Sequence, residues 1–164
     1  GTYTTSNAKD FGYAPAVPVS IVSSYNSNLK TMNGSSTSAY GVTQFSVSAP
    51  IVSYYSYNAT PSVSSVIGSW SLGLTTGERL ALTVSSSGAF TFVSSTGSGA
   101  FSTRASGKNV FNASFTFGPS PCLLPYQNVS GIAVTYLLPT GQTQLIAAVV
   151  DATRTYGTAA FGYR

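Results

Sequence analysis

Between Phe11 and Ile21 every odd position is Phe, Tyr, Pro, Val, Val or Ile. A period of two is what a strand shows when it buries one face. The same alternation, with β-branched and aromatic residues at the apolar places, returns in QFSVSAPIVSYYSY, SVSSVIGSWSLGL, RLALTVS, GAFTFVS, KNVFNASFTF, GIAVTYLL and QTQLIAAVV. Turn residues separate the runs. SSSG at 85–88 joins Leu80, Leu82 and Val84 to Phe90 and Phe92, and PTGQ at 139–142 follows Ile132, Val134 and Tyr136. The tracts NGSSTSAYG from Asn33 and SSTGSGA from Ser94 read as exposed loops, and no stretch carries a capped stripe of helical period. The spacing predicts an all-β chain: a single antiparallel β-sandwich, Ig-like or pilin-like, of seven or eight strands over residues 16–164. Residues 1–15 stand ahead of it as an extended segment.

Composition changes the picture mainly through charge. The 164 residues fit one domain, but only 6% are charged, against about 25% in an ordinary soluble domain. Polar surface comes instead from 28 Ser and 20 Thr. The net charge of +4 rests on Lys9, Lys30, Arg79, Arg104, Lys108, Arg154 and Arg164, which are scattered singly. Phosphate binding needs cations clustered on one surface, so nucleic acid is not an expected partner. Asp10, Glu78 and Asp151 are the only acidic side chains and there is no His. Acid unfolding acts through such groups, so stability is expected to vary little with pH, which suits a protein outside the cell.

Cys122 is alone, which excludes an intrachain disulfide and a Cys-based metal site. The longest apolar run, LIAAVV at 145–150, is far short of the ~20 residues of a spanning helix, and Gly rather than Met at position 1 fits a secreted chain whose signal peptide has been removed. Asn33, Asn58, Asn112 and Asn128 head Asn-x-Ser/Thr triplets and are candidate sites for N-linked glycans.

Catalysis is not expected. Without His there is no common general base, no Ser-His or Cys-His pair and no imidazole ligand. The three isolated acids read as surface or turn residues, and no metal or cofactor is expected. Trp70, or Tyr54, Tyr55 and Tyr57, could stack on sugars in a carbohydrate-binding adhesin. Trp70 however lies in a run apolar on both parities and reads as core.

The two chain ends complete the pattern. TAAFGYR places Phe161 and Tyr163 on one face of a last strand, and the alternating amino-terminal tail precedes VPVSIVSS. In this layout the chain resembles pilins assembled by donor-strand complementation, namely the archaeal thread and bundling-pilus subunits, similar to bacterial type 1 pilins. It lacks the cysteine pair of type 1 pilins, which with the four sequons and sparse charge favours the archaeal branch. The resemblance implies an extracellular, cell-surface filament subunit. Identical copies would join head-to-tail when an amino-terminal strand enters the groove of the next subunit, with a role in adhesion or biofilm through surface or cell-cell contacts. Pro15 and Pro18 cannot donate to a ladder, so the donor is expected before Pro15, with Tyr3, Phe11 and Tyr13 as its side-chain contacts. A viral capsid, decoration or tail-fibre β-domain is the alternative structural reading.

Overall fold

The structure is a computed structural model and describes residues 1–48, 55–75, 77, 79–92, 97–119 and 125–164. Its described strands are β1 (Thr2–Asp10), β2 (Val17–Asn26), β3 (Thr31–Ser38), β4 (Gly41–Ser48), β5 (Gly68–Leu74), β6 (Arg79–Val84), β7 (Ala89–Phe92), β8 (Ser98–Thr103), β9 (Phe111–Thr116), β10 (Asn128–Leu137), β11 (Thr143–Asp151) and β12 (Gly157–Tyr163), with one 3-10 turn at Val63–Ser65. The all-β, antiparallel expectation holds. In place of one sandwich, the strands form a four-stranded sheet, β1-β2-β3-β4, and a closed eight-stranded barrel. The chain divides into two compact units, Gly1–Ser53 and Tyr54–Arg164; residue 15 lies within the β1–β2 connection.

In the first unit β1 pairs with β2 of its own chain, Tyr3 opposite Ser23 and Thr5 opposite Ile21, with a register shift between Thr5 and Ala8. Pro18 sits in a strand with neighbours on both sides, a place proline usually avoids. The register resolves this. Pro18 pairs with Lys9 of β1, whereas the β2–β3 ladder begins only at Ser20–Thr37, so the missing N–H falls where β3 has already ended. The turn after β2 is built by Asn26, whose Oδ1 accepts the N–H groups of Asn28 and Leu29, both at 3.0 Å. NGSSTS of the expected loop from Asn33 is instead strand β3. Ser and Thr carry β-structure here because strand and surface coincide, and Ser98–Ala100 likewise open β8.

In the second unit each strand pairs with the next, and β12 pairs back to β5 through Ala160–Leu74 and Tyr163–Ser71. This is an up-and-down barrel, and closure removes every sheet edge. A sandwich and a barrel share the same alternation. Only the meeting of first and last strand separates them. That seam depends on Gly162, where a Cβ would lie 1.8 Å from the Ser71 carbonyl oxygen. The turn in SSSG forms as expected: Gly88 donates to the Ser85 carbonyl at 3.0 Å with φ +85°.

Inward positions make the core: Trp70, Leu72, Leu82, Val84, Phe90, Phe101, Phe111, Ala113, Ala133 and Leu145 are buried. Trp70 is a core residue, as expected. Its indole N–H donates to the Val66 carbonyl at 2.7 Å, so the one polar atom of the largest buried side chain is satisfied. Arg164 lies 4.8 Å over the indole ring and donates to the Ser65 carbonyl at 3.3 Å. Together with the 3-10 turn, these residues close one end of the barrel.

Candidate assembly surfaces

The two faces of the four-stranded sheet differ in apolar content. Register places Tyr3, Val19, Ile21, Tyr25, Met32, Phe45 and Val47 on one face, beside Thr5, Ser23, Gly34, Ser36 and Thr43, and Thr4, Ser20, Ser24, Asn33, Ser35, Gln44 and Ser46 on the other, beside Val22 and Val42. Sheets with one apolar face are stable when a second layer covers it. Tyr3, Tyr25 and Val47 are 48%, 48% and 53% exposed.

Among the described residues the sheet also has two edges, because β1 and β4 each have one strand neighbour. They differ in chemistry. β1 carries a register shift and ends in Lys9 and Asp10, features that discourage pairing by another strand. β4, GVTQFSVS, has no charge, no proline and a continuous eight-residue register with β3. An uncharged edge of that length is a template for a further strand.

The three residues expected to contact a neighbour all fall in this unit. Tyr3 is exposed on the apolar face of β1. Phe11 is half-buried and Tyr13 exposed, both in the connection to β2. Tyr13 stacks on Tyr40 with ring centroids 4.9 Å apart, and Asp10 Oδ1 accepts the Gly12 N–H at 2.8 Å. These contacts hold the connection against the β3–β4 turn within the same chain.

On the barrel, Phe161 and Tyr163 point outward from β12 and are 48% and 42% exposed. They join a band that sequence spacing did not reveal. Pairing brings Phe161 beside Ile146, Ile146 beside Val134, and Ala148 between Ile132 and Ala159. Three adjacent strands thus present one apolar outer surface. The outer positions of β5 to β9 are instead mostly hydroxyl or amide side chains, Ser69, Ser71, Thr83, Thr91, Ser98, Ser102, Asn112, Ser114 and Thr116, all exposed, with Gly73, Arg79, Ala81, Ala89 and Ala100 between them. At the rim of the band the Tyr136 hydroxyl donates to Gln144. Burial, with Tyr163 nearby, raises its pKa above the usual phenol value.

The four sequon asparagines are all exposed. Asn33, Asn58 and Asn128 accept hydrogen bonds through Oδ1 from Ser46, Lys108 and Thr116 respectively; these bonds engage the amide oxygen, whereas a glycan uses the nitrogen. Of the aromatic group named as a sugar platform, Tyr55 is half-buried and donates to the Asn109 carbonyl at 2.5 Å, Tyr57 is exposed with Lys108 5.6 Å from its ring, and Tyr54 lies outside the described residues. Trp70 is too buried to stack on a ligand. Glu78 and Cys122 also lie outside the described residues.

Of the two described acids, Asp151 has the more elaborate environment. Its carboxylate accepts the Thr153 hydroxyl and N–H and the N–H groups of Thr155 and Tyr156, the last two at 2.7 Å. The Thr153 hydroxyl and the Tyr156 N–H lead in holding its pKa down, from 3.8 to about 2. It closes the β11–β12 turn, and among the described residues its carboxylate bonds go to that turn. Among the described residues no group of three or more His, Cys, Asp or Glu could hold a metal ion, and no helix is long and apolar enough to cross a membrane. No family model, curated protein or solved structure matches this chain.

Proposed function

We propose that the protein is a structural subunit of an extracellular filament, assembled from identical copies through its amino-terminal sheet. The observation that carries this reading is the uncharged edge of β4, which has one strand neighbour among the described residues of the four-stranded sheet. A closed barrel offers no edge to an incoming strand, so strand addition belongs to residues 1–48. There, residues 2–5 of β1, ahead of the register shift and of the Lys9 and Asp10 that discourage pairing, lie along β4 of the next copy and extend the sheet across the junction. Two different edges make the contact head-to-tail, and a head-to-tail contact propagates instead of closing into a dimer. Backbone hydrogen bonds supply the affinity, and the alternating side chains supply register.

The exterior supports a role in water and outside the cell. A membrane barrel turns apolar residues outward around its whole belt and keeps a polar lumen; here the core is apolar and five adjacent strands are hydroxyl-covered outside. A hydroxyl surface with four exposed sequons is also compatible with glycans that coat a filament.

Electron microscopy of the purified chain tests the proposal. Filaments are expected from the wild type. Lysines at two exposed positions of β4, Gln44→Lys with Val47→Lys, should leave the β-type circular dichroism spectrum intact and yield only short or monomeric particles. Wild-type chains that stay monomeric at high concentration, or a double variant that polymerises normally, would show that this edge is not the junction.

A further inference from the structure

Inward side chains do not fill the barrel evenly. At the end closed by the 3-10 turn, Val66, Trp70, Phe111 and Leu145 are fully buried. Toward the other end, where β5, β7, β9 and β11 finish, the inward residues Leu74, Phe92, Phe115 and Val149 are only half-buried. A cavity of about 80 Å³ lies among them. Among the described residues its wall is Leu, Phe, Ala and Val, with Thr158 the one hydroxyl-bearing residue. The phenylalanines form a connected set, Phe92 to Phe115 at 4.6 Å and Phe115 to Phe117 at 4.4 Å between ring centroids.

The chemistry of that wall restricts what can occupy it. An ordered water needs two to four polar partners, and a buried polar group without a partner is costly, so neither water nor a sugar suits the space. The volume is about half of the roughly 150 Å³ that admits benzene in a comparable apolar cavity. A ring is therefore too bulky, while a slender chain end fits. An eight-stranded barrel is of the size that is filled by side chains or holds one small ligand; this one is filled at one end and spacious at the other.

We propose that the barrel binds the terminal hydrocarbon segment of a linear alkyl amphiphile, its headgroup left in water at the Leu74–Phe92–Phe117 end. This function is independent of the filament junction, which uses the other unit.

Photolabelling of the full chain tests it in whatever assembly state the protein adopts. The probe is decanoic acid carrying a diazirine at its methyl end, with crosslinks mapped by peptide mass spectrometry. Label is expected in 72–82, 90–92, 113–117 and 147–160, and excess unlabelled decanoate should remove most of it. Ala147→Leu and Ala160→Leu, which fill the cavity, should each reduce labelling at least tenfold while circular dichroism stays native. If either variant fails to fold, the wild-type map and its competition by decanoate decide the matter. Label confined to residues 1–48, label that decanoate does not compete, or no label would overturn the proposal. A chain that forms no filaments but labels in the barrel would separate the two functions.

Discussion

Asp151 concentrates the acid sensitivity of the described chain in one turn. A carboxyl whose pKa is lowered by folding adds stability above its unfolded value and gives it back as pH falls through the folded one. For Asp151 that window runs from 3.8 down to about 2. Thermal unfolding should therefore hold nearly constant from pH 7 to pH 4 and decline below it. Asp151→Asn keeps one acceptor oxygen but loses charge-assisted bonds, so its melting temperature should be lower at pH 7 and its acid decline shallower. Scanning calorimetry of both proteins between pH 7 and 2 checks the pair of outcomes. Arg164 acts at the same scale through a different force. Removing its guanidinium from the Trp70 ring and the Ser65 carbonyl by Arg164→Ala should cost about 1 kcal/mol, since the site is exposed. Denaturant titration followed by Trp70 fluorescence reads that loss and the changed ring environment together.

Among the elements, the seam between β5 and β12 decides the architecture. Gly162→Ala puts a methyl group against the Ser71 backbone, where nothing flexible can yield, and should destabilise the barrel by about 3 kcal/mol; Gly73→Ala, whose added methyl meets only ordinary contact with the Phe161 carbonyl oxygen at 3.9 Å, should cost far less. Equal losses in urea titrations would show that the seam is not unusually tight. This seam also marks where sequence reading stops. RLALTV, AFTF, NVSGIAVTYL and TQLIAAVVD are legible as strands because their inward residues alternate cleanly. The β12–β5 pairing joins residues some ninety positions apart, and no local pattern encodes it. β3 was illegible for another reason: TMNGSSTS is mostly small polar residues and resembles loop. The apolar band of Ile132, Ile146 and Phe161 exists only once three strands are in register. Trp70 was legible as core from its own neighbours, whereas the β4 edge became a candidate junction only when the order of the described strands placed it last in its sheet.

For the whole molecule, the two units should respond differently to concentration. The barrel carries its own core and a closed hydrogen-bond circuit, so its unfolding is a property of one chain. The sheet leaves Tyr3, Tyr25 and Val47 exposed and, among the described residues, has two edges, so under the proposed assembly its stability is tied to neighbours and follows mass action. A tenfold dilution removes about 1.4 kcal/mol from each copy's association. Calorimetry at two concentrations should therefore resolve a transition that moves down by several degrees on dilution and another that stays fixed. The Gln44→Lys, Val47→Lys variant should retain the fixed transition and lose the concentration dependence of the other. If both transitions of the wild type move together, the barrel itself takes part in the junction. The surface to alter next is then the β10–β12 band, where Ile146→Lys and Phe161→Lys should restore independence if that band is the second contact.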